Sequence, residues 1–188
     1  MALPRFLRRT SIRRPAPPLR LLALEDRSVP STTVAGILDS GFETVKVAAG
    51  GFRYDPAGSA WVFSGPAGVT ANNSGFTSGN PTAPQGAQVG FVQNLGTATE
   101  TVNFVAGNYT LSFLAAQRGN GNASSQSVQV YVDGTLVGTF TPGGPTYTAF
   151  TTDSFTVTAG AHTVSFVALD PDGLDNTAFF DQVQLLRV

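Results

Sequence analysis

Thr177-Ala178-Phe179-Phe180-Asp181-Gln182-Val183-Gln184-Leu185 closes the chain, and its alternation of apolar and polar residues decides the fold. A period of two is the side-chain period of a β-strand with one buried face. Upstream the same rhythm repeats. Tyr109, Leu111, Phe113 and Ala115 alternate with Thr110, Ser112, Leu114 and Ala116. Val128, Val130 and Val132 alternate with Ser127, Gln129 and Tyr131, then meet Asp133-Gly134, the residue pair that suits the positive-φ positions of a type I′ hairpin turn. Phe150 to Val157 reads as a further strand, Ala159-Gly160 as a turn, and His162 to Ala168 as its partner. Asp170-Pro171-Asp172-Gly173 is turn chemistry ahead of the closing segment.

Toward the N-terminus the pattern predicts a strand over Val34–Asp39 running into Ser40-Gly41-Phe42-Glu43. Phe52-Arg53-Tyr54 and Ala60-Trp61-Val62-Phe63 follow, split by Asp55-Pro56-Ala57-Gly58. Residues Gly65 to Gln85 read as a long loop with Phe76 its only aromatic, and strands resume at Gln88–Val92 and Thr99–Phe104. That makes roughly eight to ten short strands and no useful helix. Alternating faces must be packed against one another, so the expected fold is all-β, an antiparallel jelly-roll β-sandwich.

Composition narrows the chemistry. Of 188 residues only 12% are charged, while 21 are Gly and 14 are Phe. The absence of cysteine excludes disulfides, thiolate metal sites and a cysteine nucleophile. No apolar run reaches the roughly eighteen residues of a membrane-spanning helix. Residues 1–27 hold seven Arg, whereas residues 28–188 hold four cations (Lys46, Arg53, Arg118 and Arg187) against ten acids. That acidic body argues against a nucleic-acid surface, which needs clustered cations.

Residues 1–33 are Arg/Pro-rich and read as a disordered targeting leader, leaving 34–188 as the sandwich. Pro15-Ala16-Pro17-Pro18 cannot continue a helix, and Leu19–Leu24 is a short, charge-interrupted apolar patch. Leu24-Glu25-Asp26-Arg27-Ser28-Val29-Pro30-Ser31 resembles the leader of many planctomycete exported proteins. That resemblance implies an extracellular or cell-envelope location.

A second resemblance rests on an ordered set of motifs. They are Leu38-Asp39-Ser40-Gly41-Phe42-Glu43, a strand carrying Trp61, Ala106-Gly107-Asn108-Tyr109-Thr110-Leu111-Ser112-Phe113 ending at Gln117-Arg118, Val130-Tyr131-Val132-Asp133-Gly134, and Asp175 to Val183. The set resembles the galactose-binding-like jelly rolls, which include bacterial carbohydrate-binding modules. The resemblance implies a structural Ca²⁺ between the first and last strands, with Glu43 and Asp181 at its acidic positions. Ca²⁺ takes six to eight oxygens, mixing carboxylates with carbonyls. Asp181 is in phase with Val183 and Leu185, so it is expected to point inward. There it would hold a metal or accept backbone N–H bonds, because a buried carboxylate needs a partner. Asp39 stands where the opening motif usually has Asn.

Sugar sites pair an aromatic face with a few amides, carboxylates or guanidinium groups. Trp61, Gln117, Arg118, Asn120 and Asn176 are therefore the ligand-binding candidates, with Tyr54, Phe76, Asn122 and Asp175 as further possibilities. Trp61 between Ala60 and Val62 also suits the core, and Arg118 also suits a surface ion pair.

Catalysis finds little footing in the sequence. His162 is the only histidine, it is in phase with Val164 and Phe166, and no Gly-x-Ser-x-Gly elbow exists. The Asp170, Asp172 and Asp175 cluster lacks the EF-hand spacing. The expectation is an exported module that is not an enzyme, binding carbohydrate or a surface glycan. The alternative is a structural or adhesive surface protein working through protein contacts.

Overall fold

A computed structural model describes residues 36–120, 125–172 and 175–188. The leader expected over 1–33, and Asn122, lie outside the described residues. Twelve strands and no helix are described, arranged in two sheets. The first sheet runs β1 (Phe52–Tyr54), β3 (Ala67–Ala71), β4 (Gln88–Gln93), β12 (Thr177–Arg187), β6 (Gly107–Gln117) and β10 (Phe155–Val157), with β9 (Thr148–Thr151) also pairing β6. The second runs β2 (Val62–Ser64), β5 (Thr97–Phe104), β11 (Gly160–Ala168), β7 (Val128–Val132) and β8 (Thr135–Phe140). Every pairing is antiparallel. The expected all-β sandwich is therefore what the chain forms. No described helix is long and apolar enough to cross a membrane.

The two-residue rhythm places the core. In β5, β6, β7 and β11 the alternate apolar residues are buried, and together with Phe42, Trp61 and Phe180 they fill the space between the sheets. Phe166 stacks on Phe180 at 4.6 Å, joining the sheets ring to ring. Asp133 and Gly134 have φ of 48° and 75°, as the hairpin between β7 and β8 requires.

The closing strand departs from simple alternation. Its pairing with β6 slips between Asp181 and Gln184, and Gln182 takes a φ of 50°. This bulge shifts the phase by one residue. Ala178 and Phe180 face the core before it, and Val183 and Leu185 after it. Asp181 thus does not share a face with Val183 and Leu185, as the uninterrupted rhythm predicts. It lies with Phe179 on the outer face of the first sheet, yet is fully buried.

Two other segments differ from the sequence reading. Residues 38–41 form a turn rather than a strand. Their place beside the closing strand is nonetheless held, since Val183 N donates to Ser40 O at 2.9 Å. The expected long loop contains β3, which is buried along its whole length. Its small residues, Ala-Gly-Val-Thr-Ala, suit close approach from both sides. Gly68 is the clearest case: a Cβ there would come within 2.0 Å of Arg53 O.

Candidate functional site

The outer face of the first sheet carries the site. In β1, alternation puts Phe52 and Tyr54 on one face, 5.9 Å apart. Phe52 is 47% and Tyr54 41% exposed. Below them the segment after β3 folds back. Ser74 Oγ accepts the N–H groups of Phe76 and Thr77, and Thr77 Oγ1 donates to Ala71 O, a hydroxyl-built turn that seats Phe76. Phe76 then packs at 4.5 Å from Phe52 and 5.3 Å from Phe91. Tyr54 meets Phe91 edge-on at 5.2 Å. The result is two exposed rings propped on a buried aromatic layer.

A polar chain runs beside the rings. Tyr54 Oη donates to Gln93 Oε1 at 2.8 Å, Gln93 Nε2 donates to Asp175 Oδ1 at 2.7 Å, and Asp175 Oδ2 lies 3.3 Å from Arg118 Nη1. Arg118 in turn donates from Nε to Asn120 Oδ1 and from Nη2 to Gly75 O, while its guanidinium stacks 4.6 Å over Phe76. Partial burial raises the Tyr54 phenol above its usual value, Asp175 adds to the rise, and Arg118 opposes it.

The sequence candidates divide accordingly. Arg118 and Asn120 come together at this site. Gln117 and Asn176 are buried beside it and fix its loops: Gln117 Nε2 donates to Gln126 O and Pro142 O, and Asn176 Oδ1 accepts Ser125 N. Trp61 is elsewhere. It is 1% exposed, its ring packs on Phe42 and Phe166, and its Nε1 donates to Asp39 O at 3.0 Å. As a platform for a ligand it is corrected to a core residue, because Phe63 and Trp61 both face inward while Val62 faces out. Phe52 and Gln93 were missed. Phe52 was legible as the partner of Tyr54 two residues on, in a strand too short to carry its own core; Gln93 had no local signal.

The expected carboxylates form a second cluster. Glu43 Oε1 accepts Ala87 N and Gln88 N at 2.6 and 2.8 Å, and Glu43 Oε2 pairs with Lys46 at 3.2 Å. Asp181 Oδ2 accepts Gln85 N at 2.7 Å and Oδ1 accepts Gln182 N at 2.8 Å. Residues 85–88 are thus a strap held between Glu43 and Asp181. Burial pushes the Asp181 carboxyl up to about 7, two backbone N–H bonds oppose this, and Glu43 and Asp39 push it further up. Among the described residues, no three His, Cys, Asp or Glu side chains group as a metal site. Each Asp181 oxygen accepts one described donor and so keeps a lone pair. Asp181 and Glu43 are the two side chains that would hold a hard cation here.

Two more titratable sites lie apart from these. Glu100 is 1% exposed in the core; Oε1 accepts Leu38 N at 2.7 Å and Oε2 has no described partner. Burial pushes its carboxyl up to about 7. His162 lies at the edge of the core, its ring 5.5 Å from that of Phe104. Its Nδ1 meets Asp133 Oδ2 at 2.5 Å and its Nε2 meets Thr158 O at 3.0 Å. The Asp133 bond raises the imidazole and lowers the carboxyl.

No protein-family model and no curated protein matches the sequence. Solved structures do. A cyclase from Fischerella sp. TAU in complex with 4-(1H-indol-3-yl)butan-2-one is 18% identical, over 80% of this chain and 94% of its own, with a TM-score of 0.59. The carbohydrate-binding module TmCBM61 in complex with β-1,4-galactotriose is 19% identical, over 81% of this chain and 97% of its own, with a TM-score of 0.56. The first comparison overturns the expectation that this chain is not an enzyme. A cyclase uses the same sandwich, so neither the fold nor the missing Gly-x-Ser-x-Gly elbow excludes catalysis. At these identities the likeness establishes the β-sandwich fold that this chain shares with a cyclase and a carbohydrate-binding module.

Proposed function

We propose that this chain is an exported domain that binds carbohydrate on the Phe52–Tyr54 face. The observation that carries the reading is the pair of exposed rings beside fixed polar groups, Gln93, Asp175 and Arg118. Sugar rings offer C–H faces to aromatic planes and hydroxyls to the polar rim. The likeness to TmCBM61 supports the fold's capacity for this work. The Leu24–Ser31 resemblance supports export. Titration against a panel of oligosaccharides tests the reading. Binding is expected to fall at least tenfold in Phe52→Ala and Tyr54→Ala, with folding kept. A panel silent at millimolar concentration removes the sugar site and leaves the adhesive alternative.

Calcium at Glu43 and Asp181 belongs to the same proposal. Its support is a fully buried carboxylate crowded by two others, an arrangement that a divalent cation relieves. Excess chelator is expected to lower the melting temperature by several degrees, as loss of a native-state ligand should. An unchanged melting curve removes the ion.

A further inference from the structure

We infer that the sugar this face prefers is an anionic one, carrying a carboxylate or sulfate that binds between Lys46 and Arg53. The inference rests on the carbohydrate reading above and names the class of ligand.

The argument starts from charge. Residues 28–188 have only four cations against ten acids, so the field of the body repels anions. Two of those four cations nevertheless line one cleft. It holds about 320 Å³ and is walled by Lys46, Val47, Ala48, Gly51, Phe52 and Arg53. Phe52 lines both this cleft and the ring pair, while Arg53 projects from the opposite face of β1, so the cleft wraps around the edge of the sheet. A chain lying across Tyr54 and Phe52 would have to turn over the edge strand at Phe52 to place one of its residues in the cleft.

The two cations are available there. Among the described residues Arg53 has no ion-pair partner, and its side chain is exposed. Lys46 pairs with Glu43, but the lysine is 78% exposed. Exposed pairs of that kind are worth only about 0–1 kcal/mol, so an incoming anion can take the ammonium over. Arg118, by contrast, is buried and engaged, and its charge is already met by Asp175. An arginine fork and an ammonium lining one cleft suit a planar carboxylate or a tetrahedral sulfate equally. Neutral sugars would use the rings and their polar rim without the cleft.

Binding is measured by titration calorimetry on the full chain with three probes: β-1,4-galactotriose, an oligogalacturonate and a sulfated galactan oligosaccharide. At least one acidic probe is expected to bind tenfold or more tighter than the neutral one. That advantage should shrink toward zero in Lys46→Gln/Arg53→Gln and in 0.5 M NaCl, while galactotriose binding stays unchanged. Which acidic probe wins separates carboxylate from sulfate. Phe52→Ala should weaken all three. Equal affinity for neutral and acidic probes overturns the inference and leaves the carbohydrate reading standing. Binding of none overturns both. Arg53 on the edge strand β1 also discourages sheet-to-sheet pairing. If the double variant only aggregates, the single variants Lys46→Gln and Arg53→Gln are titrated, and an undiminished acidic preference in both overturns the inference.

Discussion

Arg118 and Asp175 face each other 3.3 Å apart, the arginine side chain 7% exposed and the carboxylate 31%. The pair ties the loop after β6 to the start of β12, beneath the exposed rings. Removing the arginine takes the cation away from a half-buried Asp175 and from the Phe76 ring. Fully buried pairs lose about 3–5 kcal/mol on such truncation, so Arg118→Ala is expected to lose about 2–3 kcal/mol here. Thermal melting should show a drop of several degrees. A change under one degree would mean that the pair holds nothing.

Stability should fall as pH rises from 4 to 7. Unfolded, Asp181 and Glu100 titrate near 4. Folded, burial holds both at about 7. Below the unfolded value both states are protonated and stability is complete. Between the two values the unfolded chain releases protons that the folded one keeps, so unfolding gains ground. Above 7 the loss is complete. The melting temperature in chelator should therefore be higher at pH 5 than at pH 8, and Glu100→Gln should narrow the gap. A rise from pH 5 to pH 8 in chelator would contradict the burial argument.

His162 should titrate above its ordinary value. The bond to Asp133 favours the charged ring, and Thr158 O accepts from the second nitrogen. The contribution to stability is complete below the unfolded value near 6.5 and is lost as pH rises through the folded one. Proton NMR of the imidazole should show the shift, and Asp133→Asn should reduce it. An unshifted histidine in the parent would sink the prediction.

Trp61 and Phe52 should separate cleanly. Trp61→Ala empties a core site bounded by Phe42, Phe166 and Phe180, at about 3–5 kcal/mol. Phe52→Ala removes a ring that is half in water, at about 1 kcal/mol. Urea unfolding of both variants measures the contrast. Equal losses would mean that Phe52 is a structural residue.

What the sequence reveals follows from where information is local. The alternation in β6, β7 and β11 and the Asp133-Gly134 turn depend on neighbours in the chain, and both were legible. The strand β3 was hidden because burial on both sides selects small residues and erases alternation. The candidate site was legible in part. Arg118 and Asn120 stand out by scarcity and by their loop, but Gln93 and Asp175 meet across 82 residues of sequence. Trp61 was ambiguous because one ring in an alternating strand suits either side of a sheet. The closing strand misled for a single reason, the bulge at Gln182.

That extra residue at Gln182 has a consequence for how the protein tolerates change. With it, one continuous strand offers apolar side chains to the interior at both ends while an acid in the middle stays outside the oil. Straightening the strand with Gln182 kept would restore strict alternation, so Phe180 and Val183, three residues apart, could no longer both turn inward. The acid would then have to follow one end of the strand or the other, away from the Gln85 amide that now receives it. At this point of the chain the bend itself matters more than the identity of the residue that makes it.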